Sequence, residues 1–182
     1  AIGSSTQGAF EITDTTNPTE IILSTTEPSY SQATGGWYNG YDRCIFAYYS
    51  DAGSSLEEFF HDGDYVSFAD QLQFISGQDI DESFEVAEAA VTIPKFARRA
   101  NVDFQYLTAT RDATGTLIWR TTDQTGSTGH RIMYCDHDAS QAELRGTVDV
   151  MTNSSQYIDV KYVAGGDTFN AFVNGWYFPS GM

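Results

Sequence analysis

From Trp37 onward apolar side chains return at every second residue and hardly ever at the helical period. That spacing restricts the chain to sheets, which must stack to hide their apolar faces. Val102, Phe104, Tyr106 and Thr108 alternate with Asp103 and Gln105. A strand of this kind buries the first set and wets the second. Residues 43–49 carry Cys44, Phe46 and Tyr48 on one face and Ile45, Ala47 and Tyr49 on the other. Both faces are apolar, so this strand is expected to be covered on both sides.

Further strands are expected over residues 65–68, 72–75, 83–93, 117–121, 131–135, 144–151, 157–163, 169–173 and 176–178. Pro94 stops the third of these, because proline cannot donate to a ladder. Turn cues stand between them at Asp51-Ala52-Gly53, Asp62-Gly63-Asp64 and Asp112-Ala113-Thr114-Gly115, with a flexible loop at 125–129. The turns recur about every 8–15 residues, the rhythm of a sandwich or barrel. Residues 56–61 read as a short helical turn, with Ser55 as cap and Glu58 three positions on. The fold expected is an all-β, antiparallel, jelly-roll-like sandwich. Phe104 and Trp119 lying open to water would contradict it.

Residues 1–35 differ in composition. They are rich in Thr and Ser, with Phe10, Ile12, Ile21, Ile22 and Leu23 as apolar anchors. They read as an extended N-terminal arm with one or two short strands, ended by Gly35-Gly36 and followed by a sandwich domain over 36–182. An arm without a partner in its own domain is expected to lie on a neighbour.

Charge narrows the partners. The net charge is −16, with nine basic residues of which only Lys95 and Lys161 are lysines. Nucleic-acid binding neutralises phosphates with Lys and Arg, and Arg98-Arg99 is too small a cluster for that. An anionic membrane face would repel the chain, and no apolar run approaches the ~20 residues of a spanning helix. No basic stretch followed by an apolar one opens the sequence, so synthesis in a cytoplasm without a leader is expected.

Catalytic spacing is missing. There is no Gly-x-Ser-x-Gly elbow and no phosphate-cradling glycine loop. The best metal candidate is Cys135 with His137, at i and i+2 on one strand face, His130 pointing the other way. Zinc needs a third ligand, for instance His61. The acidic pairs Asp62/Asp64, Asp79/Asp81 and Asp136/Asp138 match no full calcium loop and read as solvated turns. No cofactor and no enzymatic activity are expected. Cys44 and Cys135 read as buried thiols, or as a pair if their strands are neighbours. Asn153-Ser154-Ser155 is a glycosylation sequon, meaningful only for a secreted eukaryotic chain.

Aromatics flank the turns. Trp37, Tyr38 and Tyr41 are the candidates for ligand-facing rings that stack on sugars or anchor an interface.

The segment ending in Thr92-Ile93-Pro94, the run Tyr157-Ile158-Asp159-Val160-Lys161-Tyr162, the turn Gly165-Gly166-Asp167 and residues 169–178 resemble the trimeric jelly rolls of the C1q and tumour-necrosis-factor type. The resemblance covers mainly residues 83–182. Related jelly rolls serve as bacteriophage capsid cement proteins and fibre heads. It therefore implies a homotrimeric decoration protein on a capsid surface, bound to the major capsid protein. Phe169, Phe172, Trp176 and Phe178 would straddle the subunit core and the three-fold contact. Phe10, Ile12, Ile21, Ile22 and Leu23 would touch capsid. The alternatives are a receptor- or carbohydrate-binding head domain and a glycan-active sandwich enzyme.

Overall fold

Val102, Phe104 and Tyr106 are buried in the computed structural model and Gln105 stays partly exposed, but Asp103, expected to face water, is only 6% exposed, opposite Phe172 and accepting a bond from Thr147. The expected alternation thus becomes an inner and an outer face. The structure describes residues 6–13, 20–50, 55–87, 89–108, 114–136, 142–163 and 168–179.

The strands are β1 (Thr6–Ile12), β2 (Ile21–Ser24), β3 (Ser29–Ser31), β4 (Gly36–Asn39), β5 (Asp42–Ser50), β6 (Phe59–Asp62), β7 (Tyr65–Asp79), β8 (Glu85–Val86), β9 (Arg99–Thr108), β10 (Thr114–Thr121), β11 (His130–Asp136), β12 (Ala142–Met151), β13 (Ile158–Val163) and β14 (Thr168–Tyr177). No helix occurs among the described residues. The strands form three antiparallel sheets, ordered β2-β1-β5-β4-β3, β12-β9-β14-β7-β6 and β11-β10-β13-β8.

The second and third sheets form a β-sandwich. Its pairs β7–β14, β8–β13, β9–β12 and β10–β11 are those of one long hairpin. Rolling that hairpin sets β14 beside β9 and β13 beside β10, which is a jelly-roll winding. Phe104, Phe169 and Trp176 come inward from the second sheet, and Leu117, Trp119, Ile158 and Val160 from the third. Tyr106 and Tyr162 stack with centroids 4.7 Å apart. Each large apolar side chain so buried contributes ~1.5–3 kcal/mol.

Several expected elements change under tertiary pairing. Residues 65–68 and 72–75 belong to one strand, β7, and residues 169–173 and 176–177 to another, β14. Between them the register slips: Leu72 faces Val173 and Ser67 faces Gly175. Residues 68–71 thus stand against Asn174, whose Oδ1 accepts a bond from Gln71 Nε2 at 2.6 Å. Polar residues at that bulge make one strand look like two. Gly175 sits where a Cβ would come within 2.1 Å of the Val66 carbonyl oxygen. Only glycine admits so close an approach.

The alternation over 83–93 forms a strand only at Glu85–Val86. The described residues after it, through Ala97, are irregular chain whose Ala87, Val91, Ile93 and Ala97 join the sandwich core, while Phe96 packs on Trp37. The helical turn expected over 56–61 is absent. Phe59–Asp62 pair with residues 65–68 in a hairpin turned at Gly63, whose φ is +63°. Cross-strand pairing sets Phe59 opposite Phe68 and His61 opposite Val66.

Residues 1–35 carry more pairing than an arm implies. β1 runs antiparallel to β5 from Thr6↔Ser50 to Ile12↔Arg43, and the boundary at 35 falls inside the β3–β4 hairpin. This first sheet, which includes β4 and β5, joins the sandwich through Phe46 on Phe59 and Phe178, and Tyr49 on Phe68.

Candidate interaction surfaces

β14 turns Phe169, Ala171 and Val173 inward and Asn170, Phe172 and Asn174 outward. Of the four residues expected to straddle the subunit core and a three-fold contact, Phe169 and Trp176 are wholly buried in the subunit core. Phe178 is half-buried and lies against Phe46 and His61, with centroids 5.3 Å away in both cases. Only Phe172 stands on the outer face, opposite Asp103 of β9 and Gln73 of β7.

Amides tie this face together. Asn170 Oδ1 accepts from the Gly77 backbone N–H at 2.7 Å, and Asn170 Nδ2 donates to Gln105 Oε1 at 2.8 Å. Asn174 Nδ2 donates to Asn101 Oδ1 at 2.8 Å. At one end Asp149 accepts from Arg99 at 2.6 Å, Asn101 at 2.9 Å and the Tyr177 hydroxyl at 3.2 Å. The Arg99 guanidinium also lies 4.2 Å above the Tyr177 ring. Burial alone would raise the Asp149 carboxyl, but bonds from Asn101, Arg99 and Tyr177 hold it below the usual carboxylate range. The side chains are thereby fixed, so a partner would meet a preorganised surface.

The first sheet carries the other expected contacts. Phe10 is not free: its ring lies 5.9 Å from Phe46 and 5.5 Å from Tyr48. Ile12 and Ile22 are half-buried. Ile21 and Leu23 are open, at 65% and 63% exposure, on the edge strand β2. Trp37 is half-buried between Tyr30, at 5.7 Å, and Phe96, at 6.0 Å. Tyr38 is also half-buried, whereas Tyr41 stands 90% exposed.

Beneath this sheet lies a pair that sequence reasoning missed. A register shift between Phe10 and Glu11 sets Glu11 opposite Cys44 and leaves Ile45 out of the pairing. Glu11 and Cys44 are both fully buried. Burial raises the Glu11 carboxyl, against a bond from Asn39, and the nearby Asp42 raises it further. Among the described residues its Oε1 has no hydrogen-bond partner. Burial likewise pushes the Cys44 thiol up to about 11. A polar residue in an apolar run was the only signal, and surface strands show that too.

The loop between β10 and β11, expected to be flexible, is clamped. Arg120 pairs with Asp159 at 2.9 Å and donates to the Gly126 carbonyl at 2.9 Å. Lys161 donates to the Ser127 carbonyl at 3.0 Å. Both cations lie over the Phe84 ring, at 4.1 and 4.5 Å. Arg120, Asp123 and His130 border an open depression of about 510 Å³ beside this loop. The sequon asparagine, Asn153, donates to Asp123 and accepts from the backbone of Ser155 and Tyr157.

Among the described residues no three His, Cys, Asp or Glu side chains converge to hold a metal. His137 lies outside the described residues, and β11 carries Cys135 in the third sheet. His61 instead meets Phe46 and Phe178 edge-to-face, with Nε2 2.7 Å from the Gly63 carbonyl oxygen. Of the acidic pairs, Asp62, Asp64, Asp79 and Asp81 are exposed. Neither a scan of family models nor a search of curated proteins returns a match to this chain.

Proposed function

We propose that this chain is a non-enzymatic virion structural protein: a homotrimeric cement or decoration protein of a bacteriophage head. It is made in the host cytoplasm and carried on the capsid surface. The observation that carries the reading is the rolled-hairpin winding of β7–β14, whose outer face presents half-buried Phe172 among fixed amides. The C1q and tumour-necrosis-factor resemblance is part of the same proposal, since that type is also a jelly roll. A central aromatic with satisfied polar neighbours is the anatomy of a protein interface. Three copies would each bury about 800 Å² against a partner if the contact is of standard size.

The first sheet would face the major capsid protein, because Ile21, Leu23, Tyr30, Tyr41 and Ile45 are exposed there. Three linked sheets on three neighbouring capsid sites gain affinity through effective concentration. Native mass spectrometry tests the trimer, and sedimentation with heads lacking the protein tests the partner. A trimer that the change Phe172→Asp dissolves is the expected result. A monomer at micromolar concentration would overturn the trimeric reading.

The alternative is a receptor- or carbohydrate-binding head domain, favoured by Tyr41 at 90% exposure on the turn that follows β4. A glycan array without hits would remove it.

A further inference from the structure

We infer that the open edge of β2 receives an extended strand from a basic partner segment, which joins the first sheet as its sixth strand. The inference rests on the capsid-facing role of that sheet and names how the contact is made.

Three observations carry it. β2 ends the order β2-β1-β5-β4-β3, and among the described residues nothing pairs with its outer side. An exposed edge is a template for strand addition, and proteins usually blunt it with Lys, Pro or a bulge. Ile21-Ile22-Leu23-Ser24 contains none of these, and its pairing with β1 runs without a register shift.

Secondly, Ile21 and Leu23 sit opposite Ile12 and Phe10, and Phe10 leads through Phe46 to Phe59 and Phe178. An apolar stripe therefore runs from the junction with the sandwich outward and ends uncovered at the edge. A strand with apolar residues at alternate positions would complete it.

The third observation is charge. Glu20 and Glu27 flank the edge and are exposed, Glu27 with Arg98 3.9 Å away, within a chain of net charge −16. A second copy would bring the same acidic flanks, whereas a segment flanked by Lys or Arg complements them.

The test is a titration of the isotope-labelled full chain, followed by NMR. The probe is a synthetic peptide of alternating Val and Thr with two lysines at each end. Expected are shift changes centred on Ile21–Ser24 and cross-strand contacts to β2. Binding should fall at least tenfold for the double variant Ile21→Lys, Leu23→Lys, and for a peptide with glutamate ends. Both replaced side chains are exposed, so the variant should fold, which its spectrum checks directly. No binding, or equal binding by parent and variant, overturns the inference. So does self-association of the parent through this edge that the double variant abolishes. Native mass spectrometry on the same samples separates the readings. A trimer that ignores the peptide sinks only the edge, and a monomer that binds it sinks only the trimer.

Discussion

Glu11 and Cys44 face each other across the β1–β5 pair, both without accessible surface. Their neighbours are Asn39 on β4, Asp42 on β5 and Ser24 on β2, and no cation is among the groups that shift either one. A carboxylate there has lost its hydration and gained little in return.

Stability of the first sheet should therefore fall as pH rises. An unfolded Glu releases its proton near its ordinary pKa of about 4.3. The folded Glu11 holds its proton to higher pH. The stabilising contribution is full below the unfolded value and is lost as pH rises through the folded one. Hydrogen exchange of β1 amides should accelerate over that window in the parent chain. Glu11→Gln should flatten the dependence, and an unchanged profile would show that Glu11 is not its source.

Cys44 should be chemically quiet. With its thiol near 11, the thiolate fraction at pH 8 lies roughly a hundredfold below that of an ordinary cysteine. In a Cys135→Ser background, a disulfide reagent should modify Cys44 only at the rate of sheet opening. Denaturant should release fast labelling.

Gly175→Ala should be among the most damaging single-methyl additions in the chain. The new Cβ meets the Val66 carbonyl oxygen at 2.1 Å and the Ser67 Cα at 2.9 Å, both of them backbone. A cost of ~3 kcal/mol or more is expected in urea unfolding, at the top of the overpacking range. Gly126→Ala, with nothing within 4 Å, is the control and should be nearly neutral.

Arg120 and Lys161 share one ring but not one importance. The Asp159 side chain is 7% exposed and accepts from Arg120 and Thr122. Arg120→Met strands that carboxylate, at a cost of about 2–4 kcal/mol, somewhat below the range for fully buried pairs. Lys161→Met loses an exposed bond and a cation–π contact, and about 1 kcal/mol is expected. Equal losses in thermal unfolding would disprove the distinction.

Strands β9, β12 and β13 were legible because each keeps period two between turn residues, and β5 and β10 because each is a short apolar run bounded by turns. β7 and β14 looked broken, since Asp70, Gln71 and Asn174 interrupt the apolar pattern where the register slips. The site was less legible. Phe169, Phe172 and Trp176 look alike in sequence, yet the bulge at Asn174 and the packing of the core leave only Phe172 outside.

The sequence by itself determined that the chain makes sheets, because side-chain alternation is a local property of an extended backbone. It also determined strong acidity, because charge is a count. Only the tertiary structure decided which strands pair, that β1 belongs beside β5, and that Glu11 is buried against Cys44. Those outcomes depend on contacts between residues far apart in the chain, where a register shift of one residue exchanges the buried and exposed faces.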